Sequence, residues 1–259
     1  MMEIHHMSGA GNTFLVLDAR DQGLDLSRMA TELCKPHRVD GLMAIDHSET
    51  ADFRLHFYNA DGSRGEMCGN GSRCICRYAY EHGLAGEHMT VQTDAGIVTG
   101  WRIDECHYRV ALNLPGVLDL NRKDNIAYVE LGSPGVPHAV MELPDLKWDM
   151  AEKLRRQMRD LRYDPAFPKG ANVNFYAWVD ESTVRLLTYE RGVEDFTLAC
   201  GTGSASTAVV LWLKGQLPTG QLTVESQGGD LKIQIEGTDR MITQLLLEGP
   251  SEILDTFTW

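Results

Sequence analysis

With 259 residues, an ordinary apolar share of 43% and a net charge of −13, the chain can bury a core in more than one domain. Its negative balance argues against nucleic acid or an anionic membrane as a partner. No apolar run approaches bilayer length, and Met1-Met2-Glu3-Ile4-His5-His6 is no signal peptide, so a cytoplasmic protein is expected.

In chain order, the Gly-rich Ser8-Gly9-Ala10-Gly11-Asn12 reads as a loop leading into a buried strand, Phe14 to Asp18. Leu26 to Cys34 follows as a short helix with Ser27 as candidate cap. Asp52 to Tyr58 alternates as a strand and runs into a turn, Asn59-Ala60-Asp61-Gly62-Ser63, where Asp-Gly accommodates positive φ. A helix is expected over Gly69 to His82. A strand at Val129 to Leu131, a helix from Ala151 to Asp160 and a strand from Val184 to Tyr189 come next. The last helix, Gly201 to Leu213, is apolar almost all round and is expected to be buried.

This order contains a repeat. Cys68-Gly69-Asn70-Gly71, a helical stretch and Thr90-Val91-Gln92-Thr93-Asp94-Ala95-Gly96 return as Cys200-Gly201-Thr202-Gly203, a helical stretch and Thr223-Val224-Glu225-Ser226-Gln227-Gly228-Gly229. Each copy then gives two β-like segments and closes on a turn-like sequence, Leu114-Pro115-Gly116 or Leu247-Glu248-Gly249-Pro250. Two domains are therefore expected, 1–120 and 121–249, with polar Asn121 to Asn125 as the crossover. The tail 250–259 lies beyond the second copy, able to pack on either half, the first included.

The six cysteines (34, 68, 74, 76, 106 and 200) do not form a disulfide framework and read as reduced thiols. Cys68 and Cys200 stand apart because each begins a helix. Unpaired N–H groups and the positive dipole end at such a position favour a thiolate, and the same donors suit a substrate carboxylate. Neighbouring glycines let a ligand approach closely. Two such thiols facing one carbon would take a proton from one face and return one to the other. With no metal pattern and no lysine marked for a pyridoxal Schiff base, the N–H dipoles would have to steady the developing charge in a closed site. Competing readings are weaker. Cys68, Cys74 and Cys76 lack a C-x₂-C pair for zinc, and the Gly-x-Gly loops lack both a Walker lysine and the dinucleotide motif's acidic residue.

The stretch from Tyr58-Asn59-Ala60-Asp61-Gly62-Ser63 through Cys68-Gly69-Asn70-Gly71-Ser72-Arg73-Cys74 resembles the first signature of the diaminopimelate epimerases. Tyr189-Glu190-Arg191-Gly192 through Ala199-Cys200-Gly201-Thr202-Gly203 resembles the second. Met7-Ser8-Gly9-Ala10-Gly11-Asn12, Asp40-Gly41-Leu42, Pro137-His138 and Asn172-Val173-Asn174-Phe175 fall in the family's order, so the likeness runs nearly end to end. The resemblance implies an α/β (α+β) fold of two pseudo-symmetric domains. Each has a mixed sheet wrapped round a central helix, and the active site lies in the cleft between them.

It also implies a cofactor-independent, metal-free isomerase that interconverts L,L- and meso-diaminopimelate for lysine and cell-wall synthesis, usually as a homodimer. By position, Cys68 and Cys200 would be the acid/base thiols, with His138 and Glu190 each paired to one of them. Gly69, Asn70, Gly201 and Thr202 would bind the carboxylate at the reacting centre. Asn12, Asn59, Asn172, Glu190 and Arg191 would hold substrate, the last four mainly at its distal end, where a guanidinium can grip a carboxylate in two places.

Two departures bear on substrate more than on chemistry. Val136 stands where many members carry asparagine before Pro137-His138, removing a side-chain donor near the distal end. Glu194-Asp195-Phe196-Thr197 is one residue longer than the usual segment. A racemase of another amino acid, for example histidine, is the alternative on this scaffold, and a catalytically silent ligand-binding protein is the alternative of another class.

Overall fold

The computed structural model describes residues 2–65 and 69–259. Expectations for Cys68 therefore fall outside the described residues. The chain divides into two compact units, one of residues 1–111 with 248–259 and one of residues 112–247.

The first unit begins with a hairpin absent from the sequence reading. β1 (Glu3–Gly9) and β2 (Asn12–Asp18) pair antiparallel across Ala10-Gly11, both at positive φ. The glycine-rich stretch is thus a two-residue turn between strands. α1 (Leu26–His37) crosses over to β3 (Gly41–Asp46), parallel to β2, and β4 (Phe53–Asn59) returns antiparallel. Asp25, not Ser27, caps α1, its side chain accepting from the Arg28 N–H; Ser27 Oγ instead donates to the Gly62 carbonyl. α1 also runs past Cys34 through Pro36. Its end is closed by the Arg38 and Val39 N–H groups on the Lys35 and Cys34 carbonyls. The turn after β4 has Gly62 at φ 83°, with its N–H on the Asn59 carbonyl.

α2 (Gly69–Glu81) is the second crossover, to β5 (His88–Thr93) beside β4, followed by β6 (Gly96–Arg102) and β7 (His107–Ala111) in antiparallel succession. Strand alternation sorts the two helices onto opposite faces. Leu15, Leu17, Leu42 and Ala44 pack with Met29, Ala30 and Leu33 of α1. On the other face, Phe14 and Met43 approach Gly71 of α2 so closely that a Cβ there would meet Met43 Cε at 1.8 Å. α2 touches β1, β2, β3, β6 and β7, so the sheet curls round it.

The second unit repeats this scheme. β8 (Pro115–Lys123) and β9 (Ile126–Gly132) form a hairpin across Asp124-Asn125, both at positive φ. Asn121 to Asn125, read from sequence as the crossover between halves, is the end of β8 and this turn; Asn121 Oδ1 accepts the Asn125 N–H to close it. The boundary between units falls earlier than the expected 120/121, because β8 pairs with β9. β10 (Gly135–Glu142) lies antiparallel to β9. α3 (Ala151–Arg162) then crosses to β11 (Asn172–Trp178), parallel to β10, and β12 (Thr183–Glu190) returns antiparallel.

A three-residue strand, β13 (Asp195–Thr197), folds back on β12. α4 (Gly201–Leu213) crosses to β14 (Gln221–Glu225), parallel to β12. β15 (Leu231–Thr238) is antiparallel to β14, and β16 (Met241–Pro250) follows a two-residue turn at positive φ, Asp239-Arg240. Leu247 to Pro250 is therefore the end of a strand, and Pro115-Gly116 the start of one, where turns were expected. α4 is buried along nearly its whole length, because β9, β10, β11, β14 and β15 surround it. An all-round apolar helix has this environment as its natural place.

The last strand, β17 (Glu252–Thr258), pairs antiparallel with β1 and belongs to the first unit. β17 thus sits beside β1 as β8 sits beside β9. In each copy of the repeat the final strand joins the sheet of the other copy. Arg73 and Arg77 of α2 secure this return, donating to the Pro250 and Ser251 carbonyls.

Candidate functional site

In the first unit the β1–β2 hairpin tip meets the start of α2. Asn70 donates from Nδ2 to Asn12 Oδ1 at 2.6 Å, and Asn12 donates in turn to Asp40 Oδ2 at 3.2 Å. A Cβ on Gly9 would lie 2.6 Å from the Asn70 carbonyl oxygen, so the hairpin can reach the helix start only without a side chain there. Asn70 is 3% exposed, and its Oδ1 has no hydrogen-bond partner among the described residues. Gly69 opens α2 and its carbonyl accepts from Arg73. Asn59 ends β4, in register with Gly41 and, one strand on, Phe14; its amide donates to Ser63 Oγ at 3.0 Å. Asn12, Gly69 and Asn70 thus come together, while Asn59 is tied into its own turn.

The second unit builds a denser cluster around α4. Cys200 is the N-cap of this helix, with extended backbone, and its Sγ accepts the Gly203 N–H at 3.3 Å. Thr202 Oγ1 lies 3.6 Å from the same sulfur. Gly203 is fixed as glycine by its surroundings: a Cβ would meet Asn174 Oδ1 at 2.3 Å and Cys200 Sγ at 3.2 Å.

Asn174 comes from β11, whose alternation serves both helices. Val173, Phe175 and Ala177 pack with Leu154 and Met158 of α3, so Asn172 and Asn174 point to the other face. His138, on β10, is in register with Asn172 and fully buried. Its Nδ1 is 3.2 Å from Asn174 Nδ2, and its Nε2 has no hydrogen-bond partner among the described residues. Asn172 Oδ1 accepts the Arg191 backbone N–H at 2.8 Å, and the Arg191 side chain reaches the Lys169 carbonyl. Glu190, half-buried, ends β12 just before it.

His138 and Asn172 are therefore adjacent, Asn172 holds Arg191, and Asn174 links His138 to the Cys200 helix start. Asn174 and Thr188 were missed as site residues. The signal was present in Asn172-Val173-Asn174, two buried amides on one face of an otherwise apolar strand.

Burial, and after it the positive charge of Arg191, pushes His138 down to about 3. Unfolding restores its ordinary value of 6.5. Below that value the unfolded chain takes up a proton that the folded chain refuses, so stability is full above pH 6.5 and declines as pH falls toward 3. Urea unfolding of the parent and of His138→Gln tests this. Between about pH 7 and about pH 5 the parent is expected to lose about 2 kcal/mol more than the variant. Equal losses would mean that the buried imidazole protonates in place.

The segment after Arg191 is held by a set of contacts of its own. Glu194, at φ 57°, receives Arg162, Tyr163 and the Gly192 N–H, and Tyr189 donates to its carbonyl. Asp195 pairs with Arg155, and Phe196 meets Tyr189 edge-on. The segment is thus pinned to α3 and β12. Val136 is half-buried on β10, in register with Leu131.

The remaining described cysteines are of another kind. Burial pushes Cys34 up to about 11 and Cys76 up to about 12, and Cys74 is fully buried. Cys106 is exposed beside Asp104. No helix among the described residues is long and apolar enough to cross a membrane.

Comparison with known proteins matches residues 4–112 and 131–252 to the family model described as diaminopimelate epimerase. A diaminopimelate epimerase of Aquifex aeolicus is 35% identical over 250 residues, covering 89% of this chain and 88% of its own. One of Flavobacterium psychrophilum is 30% identical over 260 residues and covers 98% of each chain. Among solved structures, a Bacillus anthracis phenazine biosynthesis protein of the PhzF family gives a TM-score of 0.73 at 15% identity, covering 99% of this chain and 98% of its own. A probable proline racemase from Agrobacterium radiobacter gives 0.70 at 14% identity, covering 100% and 93%. These two share the fold.

Proposed function

The chain belongs to the diaminopimelate epimerase family, and on that footing we propose that it interconverts L,L- and meso-diaminopimelate by proton transfer between two thiols, Cys200 and Cys68. The observation that carries the reading is the seat of Cys200. Its sulfur caps a buried helix and accepts a backbone N–H, where the dipole favours negative charge. A thiolate so held abstracts the α-proton from one face, and the thiol of Cys68 delivers a proton to the other. The roles exchange in the reverse direction.

The Cα–H of an amino acid is a weak acid, so fixed donors must meet the charge that develops on the α-carboxylate. Gly201 and Thr202, in the first turn of α4, supply N–H groups not engaged within the helix, and Gly69 and Asn70 are assigned the same part at α2. His138 and Glu190 flank the thiols. Arg191, with Asn12, Asn59 and Asn172, is assigned to the rest of the substrate, where the guanidinium grips the distal carboxylate. Following the resemblance, the reaction needs no metal or organic cofactor and serves lysine and cell-wall precursor supply, in a cytoplasmic homodimer.

The test is turnover of a substrate panel by purified protein treated with a chelator and a carbonyl reagent. L,L- and meso-diaminopimelate are expected to interconvert at an undiminished rate. Histidine, lysine and glutamate are expected to stay unracemised, because they lack the second zwitterion. Racemisation of one of these instead would keep the thiol chemistry and point to Val136 as the residue that redirects specificity.

A further inference from the structure

We propose that Asn174 is a positioning residue that locks His138 as the neutral Nε2–H tautomer, so that His138 offers a fixed hydrogen-bond donor and neither gains nor loses a proton during turnover. The part concerning turnover rests on the epimerase reading above, whereas the tautomer rests on geometry alone.

The orientation of the Asn174 amide is over-determined. Its Nδ2 faces the Ala139 carbonyl at 3.1 Å and the Asn172 carbonyl at 3.0 Å, and its Oδ1 accepts from Thr188 Oγ1 at 2.9 Å. A flipped amide would set its oxygen against two carbonyl oxygens, so nitrogen must occupy the side that faces His138. The amide's two hydrogens are shared among these two carbonyls and Nδ1, 3.2 Å away, and its nitrogen cannot accept; a hydrogen on Nδ1 would face it without a partner, so the lone pair belongs at Nδ1 and the hydrogen at Nε2. Both side chains are fully buried, which keeps water from substituting for either partner.

Protonating Nδ1 would oppose an N–H to an N–H. Burial and Arg191 resist the same proton. The donor that remains, Nε2–H, meets no acceptor among the described residues. A buried donor without a partner costs about 1–3 kcal/mol, and a thiolate or a substrate carboxylate would supply the missing acceptor. The same Asn174 carboxamide also touches the other end of the cluster. Its oxygen occupies the space a Cβ on Gly203 would need, beside the N–H that holds the Cys200 sulfur. One side chain thereby sets both the imidazole and the helix start.

Histidine ¹⁵N-labelled protein allows a direct reading, because ¹⁵N shifts and two-bond couplings distinguish a protonated from an unprotonated ring nitrogen. The chain has nine histidines, and the signals lost in His138→Gln identify the one concerned. The expected result is Nε2 protonated and Nδ1 unprotonated, unchanged between about pH 6 and about pH 8. A proton on Nδ1, or titration within that range, would overturn the proposal. This needs no Asn174 variant to fold and no active substrate, so it fails independently of the epimerase reading.

Asn174→Asp then tests the lock. A carboxylate accepts where the amide donated, so the proton is expected at Nδ1, with kcat down at least about tenfold and KM little changed. A folded Asn174→Asp protein that keeps the parent's nitrogen signature would show that something else sets the tautomer.

Discussion

Replacing Cys200 by alanine is expected to lower epimerisation by about a thousandfold while leaving the protein folded. On the proposed mechanism the sulfur carries the proton, and its described neighbours His138, Asn174 and Thr202 are poor substitutes. Burial holds His138 uncharged with a proton affinity far below the ordinary value, which makes it a weak base, and Asn174 and Thr202 do not ionise. Stability should change by only about 1 kcal/mol, the usual cost of a lost cap, because α4 is anchored by burial along its length. Cys200→Ser separates the two roles. A hydroxyl can accept the Gly203 N–H and restore the cap, yet it ionises far too weakly to serve as base at neutral pH. Serine should therefore recover the unfolding midpoint and not the rate. Kinetics of both variants with a parallel thermal melt would show this; an alanine variant within about tenfold of the parent would remove Cys200 from the chemistry.

Gly203→Ala is expected to cost both stability and activity. The new methyl group would lie 2.3 Å from Asn174 Oδ1 and 3.2 Å from Cys200 Sγ, both well inside contact distance. Asn174 cannot yield easily, because its oxygen accepts from Thr188 and its two amide hydrogens are shared among two carbonyls and His138. The first turn of α4 must therefore move, carrying the sulfur and the N–H groups of the helix start with it. Overpacking of this kind typically costs about 1–3 kcal/mol, or roughly 3–10 °C in melting temperature for a protein of this size. A displaced helix start should lower kcat/KM about a hundredfold, since misplacement by an ångström is enough to do so. Calorimetry and steady-state rates on one preparation check both; an unchanged melt would mean that the helix start is looser than its contacts imply.

What the sequence made legible follows from where chemistry forces a residue type. The start of α4 could be read because Cys-Gly-x-Gly has few other reasons to exist, and Gly203 indeed has no room for a side chain. α4 itself was legible as buried, since a helix apolar on every side has no surface to offer water. Pairing between distant segments was not legible. β1 has two partners, β2 and β17, and the second comes from the far end of the chain. The exchange of β8 and β17 between copies leaves no local trace, so Asn121 to Asn125 read as the crossover between halves and is the end of β8 with its hairpin turn.

The α1 cap was misplaced by two residues because serine and aspartate both suit that position, and only the fold gives Ser27 the Gly62 carbonyl as a better partner. His138, Asn172 and Arg191 were picked out by resemblance, and the second unit sets Asn172 beside both of the others. Asn174 was not singled out because its importance lies in what it holds. That depends on three strands and a helix meeting.

The central claim is that two thiols handle one α-carbon from opposite faces, and the most direct measurement is where deuterium first appears when L,L-diaminopimelate is converted in D₂O. A thiolate that removes the proton and a separate S–D that delivers its replacement must label the product first. Early meso product should carry deuterium at the inverted carbon while recovered L,L substrate keeps its proton. Product that retains the substrate's own α-proton, or substrate that exchanges faster than it inverts, would mean that a single base serves both faces, and would contradict the account.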